Sequence, residues 1–360
     1  MPQFSVDSNI ARASTISKRF YTDPGVFEES KDRIFARSWQ WVADTDVVKV
    51  PGQVYPLTIL DGCLSEPALL TRDTEDQLHC ISNVCTHRGN IVCEGPGNER
   101  FLRCRYHGKR FGLDGCFQSM PEFEGAEGFP SPADSLPKIP FGVWDNQIFA
   151  SLDPICSLEE WIAPMIERVG WLPLNLFQPE PARGRDYMVK ANWALYVDNY
   201  LEGFHIPFIH ADLNAVIDYG NYTVETFRYC NLQLAVSKGA EDVFDLPKNS
   251  PDYGRAISAY YFWIFPNLMF NFYPWGLSIN VVRPLAHNLT KISFIPYVWD
   301  ASKLGRGAGA ALDRVEREDE AVVEMVQRGL HSRFYEKGRF SPARENGTHH
   351  FHTLLSEFMG

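Results

Sequence analysis

Two short segments each carry one cysteine and one histidine: Cys85-Thr86-His87 and Cys104-Arg105-Tyr106-His107, with sixteen residues between His87 and Cys104. One thiolate and one imidazole from each of two loops make a ligand set for a two-iron, two-sulfur centre, cysteines on one iron and histidines on the other. Neutral imidazole brings less negative charge than thiolate, so such a centre has a raised reduction potential and suits intermediate electron transfer. Zinc also accepts two cysteines and two histidines, but zinc sites usually pair like with like within a loop, and each loop here mixes them. The rest of the chain should therefore hold whatever receives the electron.

A second set of chemistry-bearing residues lies between Asn192 and His210. Asn192 can cap a helix that runs towards His205, because its side chain accepts amide bonds left open in the first turn. Asp198, Glu202 and His205 are spaced four and three apart, which on a continuous helix puts them on one face. Gly203 and Pro207 should break that helix. The break lets the rings of His205 and His210 converge. Two histidines beside a carboxylate suggest non-haem iron with positions open for oxygen. A third ligand can come from a distant helix predicted over roughly Ala308 to Leu330. Its apolar stripe is Leu312, Val315, Val322, Val323, Val326 and Leu330. On a helical wheel Asp319 falls within roughly 15° of the stripe's centre and Glu318 roughly 90° away. A carboxylate facing a core is costly unless paired or metal-bound, which selects Asp319 on this helix; the competing account is a salt bridge to Arg314 or Arg317. His349, His350 and His352 have no neighbouring ligand set and read as structural.

These groups need two kinds of scaffold. From about 38 to 155 the chain reads as short strands and turns. Val54–Leu60, Ala68–Thr71, Leu78–Val84 and Gln147–Leu152 have strand composition, and Asp61-Gly62, Gly95-Pro96-Gly97-Asn98 and Leu113-Asp114-Gly115 read as turns. From about 156 onward a helix is expected at Leu158–Val169, a strand at Arg185–Lys190, aromatic strands over 222–298, and the long helix. Nine aromatics lie between Tyr260 and Trp275; alternation sends about half of such residues into a sheet core and leaves others to line a pocket. Trp or Tyr faces in a pocket can hold a quaternary ammonium group, or stack on an aromatic substrate.

Composition narrows the classes. With 360 residues, two domains are expected. A net charge of −11 speaks against a nucleic-acid surface. No basic-then-apolar leader precedes Arg19, and no apolar run approaches the roughly 18 residues that span a bilayer, so a soluble cytoplasmic protein without membrane contact is expected. Of eight cysteines, only Cys85 and Cys104 join the paired clusters. The other six read as buried small hydrophobes or free thiols.

With these residues in hand, the chain resembles the large (alpha) subunit of Rieske non-haem iron oxygenases. The resemblance rests on Cys-Thr-His-Arg-Gly at 85–89, Cys-Arg-Tyr-His-Gly at 104–108, Asn192-Trp193, the segment from Asp198 to His210, Arg317-Glu318-Asp319 and Gln327-Arg328-Gly329-Leu330. The pattern is most similar to the branch of choline- and carnitine-type monooxygenases, which also carry a segment like His349-His350-Phe351. Lys109 departs from it, standing where many members have tryptophan.

The resemblance implies an α+β fold: an antiparallel β Rieske domain and a helix-grip (START-like) catalytic domain with a long C-terminal helix. The implied boundaries are 1–37 as a segment packing on the catalytic domain, 38–155 as the Rieske domain and 156–360 as the catalytic domain. Cys85, His87, Cys104 and His107 are implied as ligands of a [2Fe–2S] cluster. His205, His210 and Asp319 are implied as ligands of mononuclear Fe(II). Glu202 matches a carboxylate that bridges the two centres across a subunit boundary, with Asp198 as a rival. Also implied are a homotrimer, a separate NAD(P)H-dependent reductase, with or without a ferredoxin, and O2 as co-substrate. The expected activity is hydroxylation of a small quaternary amine, by C-hydroxylation or N-demethylation; aromatic ring hydroxylation is the second reading. A third, a Rieske electron carrier, leaves His205, His210 and Asp319 without purpose.

Overall fold

A computed structural model describes residues 4–210, 219–237, 239, 242–305 and 312–360. The chain divides into two compact units, one of residues 36–158 and one of residues 1–35 with 159–360.

The unit of residues 36–158 is built from three small antiparallel sheets. One orders β1 (Gln40–Asp44), β10 (Gln147–Ala150) and β9 (Phe141–Trp144); a second orders β4 (Leu78–Ser82), β3 (Glu66–Arg72), β2 (Gln53–Ile59) and β5 (Gly97–Asn98); the third orders β6 (Leu102–Arg103), β7 (Arg110–Phe111) and β8 (Phe117–Ser119). The strands predicted from composition are present, with ends that differ by one or two residues; the one predicted at Ala68–Thr71 is longer, Glu66–Arg72. Alternation along β2 and β3 sends Val54 and Leu69 into a core with Ile81, Val92, Leu102, Phe111, Leu113 and Leu136. Cys85 and Cys104 belong to that core, so the two loops that carry them leave the sheets from its edge.

The larger unit is centred on an eight-stranded antiparallel sheet. Its path is β11 (Gln178–Pro179), β18 (Leu289–Val298), β17 (Gly276–Ala286), β16 (Leu268–Tyr273), β15 (Ile257–Ile264), β14 (Cys230–Val236) and β13 (Thr223–Thr226), with β12 (Arg185–Val189) also paired to β18. Helices α1 (Arg19–Thr22) and α2 (Pro24–Ser30) come from the chain's start, followed by α3 (Leu158–Val169), α4 (Trp193–Tyr200), α5 (Ile206–Ile209), α6 (Leu312–Gly329) and α7 (Asn346–Met359). Helix α3 has the predicted bounds. The early part of the helix expected from Ala308 falls outside the described residues. That helix is not the last element: α7 follows it. The buried face of α6 matches the apolar stripe read from the sequence only in part. Val323 and Leu330 of that stripe are buried, but Val326 is 43% exposed, and the polar Glu316 and Gln327 are buried beside them. Four of its polar residues face α4 and the strand before it: Tyr196 bonds Glu316, Asn199 bonds Asp319, and the backbone amides of Lys190 and Asn192 donate to Glu324 and Gln327. Polar pairing, which a hydropathy stripe does not record, therefore sets this helix's rotation. Among the described residues no helix is long and apolar enough to cross a membrane.

Candidate metal centres

The two cysteine–histidine loops have the same backbone. Cys85 N–H donates to the Asn90 carbonyl at 2.8 Å, and Cys104 N–H to the Lys109 carbonyl at 2.9 Å. Gly89 and Gly108 N–H each donate back to the loop's cysteine carbonyl at 3.0 Å. Both glycines have positive φ (71° and 78°), a conformation a side chain would strain. Each loop thus buries its cysteine and leaves its histidine half exposed. The His87 and His107 rings face each other with centroids 4.7 Å apart. Burial pushes the Cys85 thiol up, and the neighbouring Cys104 thiol adds to this. His107 Nδ1 is buried with no hydrogen-bond partner among the described residues, a position that costs free energy unless something outside the chain occupies it. Two inner thiols, two outer imidazoles and an unsatisfied ring nitrogen fit a two-iron, two-sulfur cluster. Asn90 Nδ2 lies 3.6 Å from Cys104 Sγ, where it can donate a weak hydrogen bond to sulfur. Tyr106 lies against His107 (ring centroids 3.8 Å) and is 55% exposed. All eight cysteines are free thiols; of the six outside the ligand loops, Cys116 is exposed and Cys93 and Cys156 are partly so.

In the larger unit, Asn192 caps α4 as predicted, its side chain accepting from the Ala194 amide. The helix then stops at Tyr200, earlier than the spacing suggests. Pro207 does not break a helix. It sits in the first turn of α5, where its missing N–H was unneeded. His205 precedes that turn and His210 follows it, so the turn turns both rings the same way. His205, His210 and Asp319 each present a ligand atom within 4.8 Å of the others. Asp319 Oδ1 is 3.0 Å from His210 Nε2 and 3.5 Å from His205 Nε2.

The far nitrogens are equally constrained. His205 Nδ1 is 2.8 Å from Glu202 Oε1, and His210 Nδ1 is 2.7 Å from Glu318 Oε2. A carboxylate behind each imidazole fixes its tautomer and aims Nε2 at a metal. Burial alone would push the His210 imidazole down, but its hydrogen bonds to Asp319 and Glu318 hold it up. Two imidazoles and a carboxylate with exposed space beyond them fit a ferrous ion with open positions. The salt bridges proposed as the competing account go elsewhere: Arg314 pairs with Glu318 and Arg317 with Asp313. Glu318 was set aside because of its wheel position; a 90° offset is within reach of a glutamate's three side-chain torsions.

The structure separates Asp198 from this group. With the helix ended at Tyr200, Asp198 and His205 no longer share a face. Tyr21 Oη donates to Asp198 Oδ2 at 2.7 Å and His352 Nε2 lies 2.8 Å from Oδ1. Ile16 N–H donates to His352 Nδ1 at 3.1 Å, which leaves the proton of the neutral ring on Nε2, pointing at Asp198. Asp198 is therefore a buttress beneath α4, and Glu202 alone of the two touches His205. His349 and His350 have structural partners, the Asp7 carbonyl and the Asn231 side chain.

A cavity of about 130 Å³ opens beside His205, His210 and Asp319. Tyr200, Tyr222, Tyr261 and Tyr273 line it, with Asn271 and Gln233. Tyr200 Oη donates to Asn271 Oδ1 at 2.6 Å and Tyr222 Oη to Gln233 Oε1 at 2.8 Å. Only Tyr261 and Tyr273 came from the aromatic run noted in the sequence. Tyr200 and Tyr222 flank the histidine motif without belonging to a pattern.

Two family profiles cover these sites. The Rieske [2Fe-2S] domain matches residues 38–132, and the ring hydroxylating alpha subunit (catalytic domain) matches residues 178–360. The chain belongs to the Rieske-type ring-hydroxylating oxygenases. It is 30% identical to the chloroplastic choline monooxygenase of Beta vulgaris over 96% of this chain and 77% of that protein, and 27% identical to the carnitine monooxygenase oxygenase subunit of Escherichia coli K12 over 97% and 95%. The fold matches a solved quaternary ammonium Rieske monooxygenase, described for carnitine oxidation and inter-subunit electron transfer, with a TM-score of 0.77 at 23% identity over 99% of this chain and all of that one. The expected α+β fold, enzyme class and two iron groups of Rieske oxygenases are thereby borne out. As an oxygenase of this family the chain is an oxidoreductase that works with a separate reductase on a small substrate.

Proposed function

We propose that this oxygenase acts on a small quaternary ammonium compound, hydroxylating a carbon next to nitrogen or elsewhere on the chain. The observation that carries this reading is the cavity beside His205 and His210. Its tyrosine hydroxyls at 200 and 222 are spent on Asn271 and Gln233, so those residues offer ring surface more than hydrogen bonds. A quaternary ammonium group accepts and donates no hydrogen bond and is held by aromatic faces. The chain's curated relatives act on choline and carnitine by name. Where hydroxylation falls on an N-methyl group, the product loses formaldehyde.

In this reading Cys85, His87, Cys104 and His107 hold the [2Fe–2S] cluster, and His205, His210 and Asp319 hold the mononuclear iron. When bound, the cluster supplies electrons singly and the iron activates dioxygen. The chain's own residues set geometry around them. Glu202 and Glu318 hold the imidazoles in one tautomer, Asn199 steadies Asp319, and the tyrosines place substrate and exclude water. The working assembly is a homotrimer closed head to tail, in which Glu202 also reaches a cluster histidine of the neighbouring copy. Electrons originate from NAD(P)H through the reductase.

The test is oxygen uptake and formaldehyde release by the reconstituted enzyme with choline, carnitine, glycine betaine and benzoate. Turnover of an ammonium compound is expected. Turnover of benzoate alone would replace this reading with aromatic ring hydroxylation.

A further inference from the structure

One wall of the same cavity carries an acidic side chain that the ligand set does not use. Glu316 lines it, one turn before Asp319 on α6, and is 4% exposed. Tyr196 Oη donates to Oε2 at 2.7 Å. Oε1 is buried with no hydrogen-bond partner among the described residues. A buried carboxylate normally collects two or more donors or a cation. This one has a single neutral donor, and the acidic neighbours Asp319, Glu320 and Asp313 all disfavour its charge. Burial first, then those neighbours, push its carboxyl up to about 8. Nothing in the fold therefore compensates its charged form fully, and a cation held in the cavity that Glu316 lines would favour that form.

Resting on the quaternary ammonium reading above, we infer that Glu316 is the counter-charge for the substrate's cationic head and makes the site select cations that carry no carboxylate. The chemistry matches on three points. A quaternary ammonium cannot donate a hydrogen bond, so its best anionic partner is a carboxylate that acts through space in a low-dielectric wall rather than one presented to solvent. Tyr200, Tyr222, Tyr261 and Tyr273 give the methyl groups aromatic surface, and Glu316 supplies the net charge the rings lack. Among the described lining residues the charged groups are acidic or histidine; no lysine or arginine is present to take a substrate carboxylate. A zwitterion such as glycine betaine or carnitine would place its carboxylate in the same cavity as Glu316, with no lysine or arginine in the lining to receive it. A trimethylammonium alcohol brings no carboxylate, and its hydroxyl can use Asn271 or Asn280.

The test is calorimetric titration of the holoenzyme, kept anaerobic to prevent turnover, with three probes. Choline is the cation, 3,3-dimethylbutan-1-ol its neutral carbon isostere, and glycine betaine the zwitterion. The wild type is expected to bind choline at least tenfold more tightly than either of the others. Glu316→Gln is expected to weaken choline at least tenfold while leaving the neutral isostere within about twofold. Equal binding of choline and its isostere by the wild type overturns the inference, whatever the variant does, so a variant that fails to fold does not protect it. An undiminished choline preference in Glu316→Gln also overturns it and leaves the ammonium reading standing. If the wild type binds none of the three and takes benzoate, the ammonium reading falls and the role of Glu316 with it.

Discussion

Glu202 accepts twice from His205: ring Nδ1 lies 2.8 Å from Oε1, and the backbone amide donates to Oε2 at 3.1 Å. The three-residue spacing across the end of α4 makes both contacts possible, because the chain folds back on itself after Leu201. Both carboxylate oxygens have one partner and room for another, as a bridging group needs. Glu202→Gln keeps an oxygen to accept from the ring, so His205 stays aimed and both iron groups should be retained. Reductase-coupled oxygen uptake should fall by about a hundredfold or more. Metal analysis beside coupled rates checks this; wild-type rates would remove Glu202 from electron delivery.

Asp319→Ala removes the one atom that faces both Nε2 nitrogens. The variant should lose about one iron per chain, because two imidazoles alone bind ferrous iron weakly. The visible absorption of the [2Fe–2S] group should persist. Full iron content in this variant would place the third ligand elsewhere.

The cluster motif was legible in the sequence because each loop is local: cysteine, histidine and the turn glycine lie within five residues of one another, and the backbone between them is fixed by short hydrogen bonds. His205 and His210 were legible for the same reason. Asp319 required a helical wheel, and the wheel found it from a stripe that the structure buries only in part. It succeeded because Asp319 lies between the true buried positions Glu316 and Val323. Glu316 and Glu318 were missed because acidic residues on a helix read as solvated until their partners, Tyr196 and His210, are known. Those partners lie more than a hundred residues away. Asp198 was misplaced because spacing presumes a helix that continues, and α4 stops two residues after it.

Asp198 can now be separated from Glu202 by experiment. Its carboxylate joins Tyr21 and His352, tying the chain's start and α7 to α4. Asp198→Asn exchanges one charged acceptor for an amide and weakens two hydrogen bonds. A loss of about 1–3 kcal/mol is expected, since hydrogen bonds to charged groups contribute in that range. Denaturant unfolding measures it. Iron content should stay at the wild-type level, in contrast to Asp319→Ala.

Lys109 follows Gly108, the turn glycine of the second ligand loop. It is 2% exposed; Nζ donates to Thr86 Oγ1 at 2.8 Å and to Asp134 Oδ1 at 3.0 Å, and lies within 5.8 Å of the Phe111, Phe117 and Phe129 ring centres. The ammonium thus packs among three aromatic rings and adds a positive charge beside the cysteine loops. Lys109→Met should lower stability by about 2 kcal/mol, because Asp134 loses its partner while remaining partly solvated. It should also shift the cluster's reduction potential negative, since net charge nearby tunes it. A redox titration of the purified protein reads the second effect. An unchanged potential would confine Lys109 to packing.

His350 gives the fold an acid-sensitive point away from the iron site. Burial, then the positive charge of Arg228, lowers its imidazole to about 4, and its Nδ1 lies 2.6 Å from Asn231 Oδ1. An unfolded chain would protonate this ring near 6.5. Between about 4 and 6.5 the unfolded state therefore binds more protons than the folded one, so stability rises with pH through that window and is lost on acidification. The full effect is at most about 3.4 kcal/mol from this residue. His350→Gln can keep a hydrogen bond to Asn231 and cannot titrate. Its unfolding midpoint should fall less steeply than the wild type's between pH 6.5 and 4, as thermal denaturation at stepped pH will measure. Parallel profiles for the two proteins would assign the acid sensitivity to other groups.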